Sequence, residues 1–150
     1  GGVDCSPESY YNFQEAVVRT QAEIEKGTKI IYEAAFQYNG VLAALDILVK
    51  DRGGWKAYEV KSSTSISETY LLDATIQYYA ITNSGVPLKD ISIVYINNQY
   101  EKNGPLDVHE LFAMESVRAD VLELLPGIPG KVEELKKPTL SDMIGGFVAL

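Results

Sequence analysis

The dipeptide Asn39-Gly40 constrains the fold most, because it separates two segments rich in β-branched and aromatic residues. Asn-Gly is the pair that best fits a two-residue type I′ hairpin, whose turn residues both take a positive φ. Residues 29–38 and 41–50 are therefore predicted to be antiparallel strands. Counting back along both strands from such a turn pairs Glu33 with Asp46.

A second turn extends this register to a third strand. The segment 51–54 reads Asp-Arg-Gly-Gly, and residues 55–61 alternate as a half-buried strand does. If the turn closes symmetrically about its two central residues, the counting pairs Asp46 with Glu59, and Glu33, Asp46 and Glu59 form one row across the sheet. One additional residue in this turn would instead place Asp46 and Glu59 on opposite faces.

The predicted row requires a compensating positive charge. Residues 41–49 are apolar on both faces of their strand, and Asp46 is the one charged residue among them. Opposed residues have Cβ atoms about 5 Å apart, where like charges destabilise a sheet. Lys61, two residues after Glu59, projects from the same face and offsets part of the charge. Oxygen ligands of this kind suit Mg²⁺, and Mn²⁺ is an equally suitable occupant.

Helical periodicity predicts further elements on both sides of the meander. A first helix over residues 6–26 would have Ser6 as N-cap and Gly27 as stop, and a second would run to Asn83 with Glu68 in its first turn. Beyond it we expect a strand at 91–96, a polar loop at 97–105, a short extended piece at 106–111, and amphipathic helices at 116–125 and 131–137.

Composition limits the class of protein. The chain has 150 residues and 46% apolar residues, enough for one compact domain, and a single cysteine and histidine, so any metal must be held by oxygen ligands. It lacks an apolar run of membrane length and a signal-peptide pattern, which predicts a soluble cytoplasmic protein with no membrane partner. The net charge of −8 argues against a broadly basic nucleic-acid-binding face.

The order of helix, three-strand meander, helix and strand, with Leu45-Asp46-Ile47 in the second strand and Glu59-Val60-Lys61-Ser62 in the third, resembles the PD-(D/E)XK nuclease superfamily. Within it the chain looks most similar to the RecB-like branch that includes CRISPR-associated exonucleases, in particular to a bacterial family with the patterns Ile31-Tyr32-Glu33-Ala34 and Glu59-Val60-Lys61-Ser62-Ser63. The similarity covers residues 20–112.

The resemblance implies an α/β fold of the α+β type, with a restriction-endonuclease-like αβββαβ core and a mixed central sheet flanked by helices. It divides the chain into a nuclease-like domain, residues 1–112, and a C-terminal helical extension or linker, residues 113–150. The Gly-Gly start suggests a fragment of a longer protein, whose remainder would be a further partner.

The resemblance also assigns residue roles. Asp46 and Glu59 would bind Mg²⁺ or Mn²⁺, with the Val60 carbonyl as a further ligand and Glu33 as an accessory acid. Lys61 would position or activate the attacking water. Gln77 matches the glutamine of a Gln-x-x-x-Tyr signature in the next helix, although Ile81 replaces the tyrosine. The first-helix histidine of many relatives is absent, and Cys5 alone cannot hold an iron–sulfur cluster, so none is expected.

Three functions remain open on the sequence. The first is a metal-dependent nuclease that hydrolyses phosphodiester bonds in nucleic acid, with DNA as the expected substrate. The second is a catalytically silent binding or scaffold module that keeps the nuclease fold, which the acidic composition favours. The third is an enzyme for another anionic or metal-bound small substrate, because a row of acids selects a metal and not a substrate.

Overall fold

A six-stranded mixed sheet forms the centre of the computed structural model, which describes residues 1–101 and 104–136. The strands lie in sequence order and are β1 (Val3–Asp4), β2 (Ile30–Tyr38), β3 (Val41–Asp51), β4 (Gly54–Val60), β5 (Leu88–Ile96) and β6 (Phe112–Ser116). The α-helices are α1 (Phe13–Lys26), α2 (Glu68–Asn83), α3 (Val108–Leu111), α4 (Arg118–Leu124) and α5 (Ile128–Lys136).

Strand directions match the predicted core. Strands β2, β3 and β4 form an antiparallel meander, and α2 carries the chain across to β5, which pairs parallel with β4. Strand β6 is antiparallel to β5 and β1 is parallel to β2. Helix α1 packs along β2, while α2 packs across β2, β3 and β5. The αβββαβ order, the mixed sheet and the flanking helices are confirmed.

The first turn of the meander has the predicted length, and the second closes symmetrically, as the predicted register requires. Asn39 and Gly40 have φ values of 51° and 80°, as a type I′ turn requires, and they join the paired residues Tyr38 and Val41. The second turn has two residues, since Asp51 pairs with Gly54. The side chains of β3 and β4 therefore lie in the register on which the predicted acid row depends.

The start of the first helix was predicted wrongly. Helix α1 begins at Phe13 after a 3₁₀ turn at Tyr10–Asn12, six residues later than the proposed cap at Ser6 implies. The Ser6 N–H instead donates to Asp4 Oδ1 at 2.8 Å, and the Ser6 carbonyl accepts from Arg19 at 2.6 Å. A short polar side chain two residues earlier thus keeps this segment in a local turn rather than a helix. The helix does end at Gly27, whose φ is 81°.

The expected extended piece at 106–111 was also wrong. Its last four residues are the single turn α3, because the Asp107 side chain accepts a hydrogen bond from the His109 N–H at 2.9 Å and caps it. The strand follows directly as β6, and β5 begins at Leu88, three residues before the predicted strand.

The core is continuous from the meander into the C-terminal region. Val117 and Val121 near α4, and Ile128 and Val132 in α5, are buried in the same cluster as the strands of the sheet. The division of the chain at residue 112 stays a prediction, and residues 137–150 of the expected extension lie outside the described part. Within the described residues, no helix has the length and apolar character that crossing a membrane would need.

Candidate active site

The predicted acid row is present at the middle of the meander. The pairs on both sides of Glu33 keep one register, which places Glu33 opposite Asp46. In the ladder between β3 and β4, the pair nearest to the row lies one residue after Asp46 and one residue before Glu59. Asp46 and Glu59 are therefore also opposed. The Val60 N–H donates to Asp46 Oδ2 at 2.6 Å and fixes that carboxylate beside β4.

Glu33 occupies an unusual backbone position for a strand. Its φ is 53°, in the left-handed region that residues with a side chain seldom adopt inside a strand. Glu33 itself is missing from the pairs of the β2–β3 ladder. The register is the same before and after it, which shows that no additional residue is inserted in either strand. Burial, and then the negative charge of Asp46, raise the pKa of the half-buried Glu33 carboxyl. Strained backbone and a raised pKa thus coincide at one predicted site residue.

Glu59 is the most buried acid of the row. Its side chain is 5% exposed. Burial, and then the hydrogen bond and charge of the neighbouring Asp46 side chain, raise the pKa of Glu59 to about 9. The positive charge of Lys61 lowers this pKa by a smaller amount. Without a bound cation, Glu59 is therefore protonated at neutral pH.

Gln77 reaches this carboxyl from α2. Its Nε2 donates a hydrogen bond to Glu59 Oε2, and its residue is almost fully buried. Gln77 Oε1 is buried and lacks a hydrogen-bond partner in the described part of the chain. An unpartnered amide oxygen that is buried destabilises the fold unless the site supplies a donor.

Lys61 lies against α2 rather than in solvent. Its Nζ is 3.5 Å from Asp73 Oδ2 and 4.9 Å from the centre of the Tyr70 ring. The positive charge still acts on the row, since it lowers the pKa of Glu59. The four predicted catalytic residues, which are Asp46, Glu59, Lys61 and Gln77, thus form one continuous set of contacts and charges.

Sequence reasoning missed Asp73 and Tyr70. Both precede Gln77 on α2 at spacings of four and seven residues, which place them on the face of the helix that carries Gln77. This periodicity could have identified the two residues as neighbours of Gln77 on one helix face, whereas their contact with Lys61 depends on how the helix packs on the sheet.

The residues present fit a divalent cation. Mg²⁺ is commonly held by one or two carboxylates together with substrate oxygens, and Asp46 and Glu59 supply two adjacent carboxyl groups. Over residues 1–101 and 104–136, no three Asp, Glu, His or Cys side chains are arranged to hold a metal between them. Glu33 as a third ligand, and the Val60 carbonyl as a fourth, stay predictions.

The tyrosines that follow Gln77 are part of the core. Tyr78 and Tyr79 are 8% and 6% exposed, and the Tyr79 hydroxyl accepts a hydrogen bond from Asn39 at 3.2 Å. Neither ring is available to stack on a nucleotide base. Ile81, at the tyrosine position of the signature, is fully buried.

Comparison with known proteins adds little. No family model and no curated protein matches the chain. Among solved structures, it is similar to the crystal structure of an alkaline exonuclease from Laribacter hongkongensis, with 12% sequence identity and a TM-score of 0.41 over 91% of this chain and 92% of the other. A superposition this loose carries no function across, so function has to be inferred from the site itself.

Proposed function

We propose that the chain is a divalent-metal-dependent nuclease domain that hydrolyses phosphodiester bonds in DNA, similar to the RecB-like branch of the PD-(D/E)XK nucleases. The observation that carries the proposal is the buried Glu59 opposed to Asp46, with Gln77 holding one side of Glu59 and Lys61 two residues away. A protein places two carboxyl groups in such contact at the expense of stability, and a bound cation removes that penalty.

Each residue has a role in the proposed reaction. Asp46 and Glu59 would hold Mg²⁺ or Mn²⁺, which supplies an activated water and charge stabilisation at the phosphate. The Val60 N–H orients Asp46, and Gln77 orients Glu59. Lys61 contributes a positive charge where negative charge develops during attack on the phosphate. Glu33 would act as the accessory acid beside Asp46.

A test combines metal titration with a cleavage assay. We expect Mn²⁺ to bind the wild-type chain saturably in calorimetry and to support cleavage of single- or double-stranded DNA. Asp46→Asn keeps an acceptor for the Val60 N–H but removes the charge, so both binding and cleavage should fall by at least about tenfold. Asp51→Asn is the matched control, since Asp51 lies on the same strand at the exposed turn and should leave metal binding unchanged.

The outcomes separate the candidate functions. Wild-type binding that Asp46→Asn does not weaken would place the metal elsewhere and contradict the proposed site. Absence of both metal binding and cleavage would favour a catalytically silent module that keeps the fold. That second candidate has its own support: a protonated Glu59 can hydrogen bond with Asp46 and Gln77 as a purely structural network without any cation.

A further inference from the structure

One face of α2 contacts both members of the Glu-x-Lys pair. Gln77 donates to Glu59, while Asp73 and Tyr70, one and two turns earlier, contact the ammonium group of Lys61. These three helix residues follow the spacing that places side chains on a single face. Side chains of α2 thus reach Glu59 and Lys61 at two points that lie one helical turn apart.

The distance between the two strand residues is similar to the distance between the two helix residues that contact them. Glu59 and Lys61 are two residues apart in extended chain, about 6.6 Å, and Asp73 and Gln77 are four residues apart in a helix, about 6 Å. The Lys61 N–H donates to the Val94 carbonyl of β5 at 2.8 Å, so the backbone is still hydrogen bonded to the sheet one residue after the end of β4. The two spacings match closely enough for Gln77 to contact Glu59 and Asp73 to contact Lys61 at the same time.

We propose that Asp73 is a positioning residue that holds the Lys61 ammonium beside the acid row, with the Tyr70 ring as its support. This inference rests on the proposed nuclease function. A lysine side chain has four rotatable bonds, and its ammonium would otherwise distribute over many rotamers. The carboxylate of Asp73 and the face of Tyr70 select one region of that distribution, one helical turn from Gln77, which donates to Glu59.

The position of Lys61, rather than protein stability, is what the contact should control. The side chains of Lys61 and Asp73 are 22% and 36% exposed, and ion pairs this accessible contribute little to folding. Removal of the Asp73 charge should therefore leave the melting temperature nearly unchanged. If the contact served only to stabilise the fold, removal of the Asp73 charge would lower the melting temperature and leave kcat unchanged.

The kinetic test is a double-mutant cycle in metal-dependent cleavage of DNA. Asp73→Asn should lower kcat about tenfold with little change in KM, because a displaced catalytic group weakens the chemical step and not binding. Asp73→Glu, which keeps the charge, should recover part of the loss. In a Lys61→Met background Asp73→Asn should have no further effect. Glu68→Gln removes an exposed carboxylate from the same helix and is the matched control.

A second readout does not require activity. NMR of the ¹⁵N-labelled lysine ammonium groups, with Lys61 assigned by its loss in Lys61→Met, should show a shifted Lys61 signal in Asp73→Asn and an unchanged one in Glu68→Gln. An unchanged Lys61 signal or a normal kcat in Asp73→Asn would overturn the inference while the nuclease activity stands. If the Lys61 signal shifts in Asp73→Asn but the wild-type chain never cleaves DNA, the proposed function is overturned and the contact is established.

Discussion

At the scale of single residues, the proton on Glu59 makes folding depend on pH. The pKa of this carboxyl is about 9 in the folded chain against an ordinary value of 4.5, so the folded state holds one more proton than the unfolded state between these two values. The stability contribution of the protonated group is complete below about pH 4.5 and is lost as pH rises toward 9. Its slope is at most about 1.4 kcal/mol per pH unit.

Glu59→Gln should remove this dependence. Glutamine keeps an oxygen that can accept from Gln77 but cannot ionise, so its free energy of unfolding should fall less steeply between pH 5 and 9 than that of the wild type. Urea unfolding at several pH values, in chelator and without metal, measures the difference. Parallel curves for the two chains would mean that Glu59 is already ionised in the folded state.

Glu33 gives a second prediction at this scale, because its φ of 53° strains any residue with a Cβ. Glu33→Gly removes the strain together with the carboxyl group, whereas Glu33→Ala removes only the carboxyl group. Alanine is normally the better tolerated of the two in a strand, yet here we expect the glycine variant to be more stable by about 1 kcal/mol. Thermal unfolding of both variants, side by side, measures this; a more stable alanine variant would contradict the left-handed conformation.

At the scale of elements, Thr20 joins α1 to the sheet. Its buried Oγ1 accepts from the Ala35 N–H at 2.9 Å and donates to the Ala16 carbonyl at 2.8 Å. Thr20→Val keeps the shape but leaves the Ala35 N–H without its partner, which should destabilise the chain by about 1–3 kcal/mol. Thr75→Val is the control, because Thr75 is equally buried and donates within α2 to the Leu71 carbonyl.

Chemical denaturation of the two threonine variants distinguishes a tertiary link from a local one. The Thr75 variant should lose less than about 1 kcal/mol, since no backbone N–H from another element depends on it. Equal losses in both variants would show that α1 does not depend on the contact with Ala35.

Local chemistry explains how much of this architecture could be predicted. Each turn of the meander is encoded in four consecutive residues. Counting residues back from the turns therefore predicted the register that places Asp46 opposite Glu33 and Glu59. Ser6 misled the prediction because its partners, Asp4 and Arg19, compete with helix capping in a way the helical period does not reveal. The left-handed Glu33 and the Asp73 contact depend on elements distant in sequence, and spacing within one segment does not encode them.

At the scale of the whole molecule, the distribution of basic residues matters more than the net charge of −8. Lys50 and Arg52 are exposed beside the β3–β4 turn, where Lys56 and Lys89 are also found. Asp51 forms ion pairs with Lys56 at 3.2 Å and with Lys89 at 3.0 Å. The hydrogen bond from Lys89, and then that from the Arg52 N–H, lower the pKa of Asp51 to about 2. The four basic residues outnumber the two acidic ones beside them, Asp51 and Asp90, so this end of the sheet keeps a net positive charge.

This end of the sheet is near the acid row. Lys50 lies four residues from Asp46 on the same strand and hence on the same face, a distance of about 13 Å. A nucleic acid strand with its phosphate at Asp46 would bring neighbouring phosphates toward Lys50 and Arg52. The double variant Lys50→Gln with Arg52→Gln should weaken DNA binding about tenfold and reduce the salt slope of binding by one to two.

The control for this prediction is Arg118→Gln with Lys131→Gln, which removes the same charge from exposed positions on α4 and α5. Fluorescence anisotropy with a labelled oligonucleotide at several salt concentrations compares the two pairs, in chelator so that metal-dependent cleavage does not occur. Because counterion release depends on which charges contact phosphate, only the first pair should change the slope. Equal effects from both pairs would mean that binding follows net charge alone and that DNA does not approach along β3.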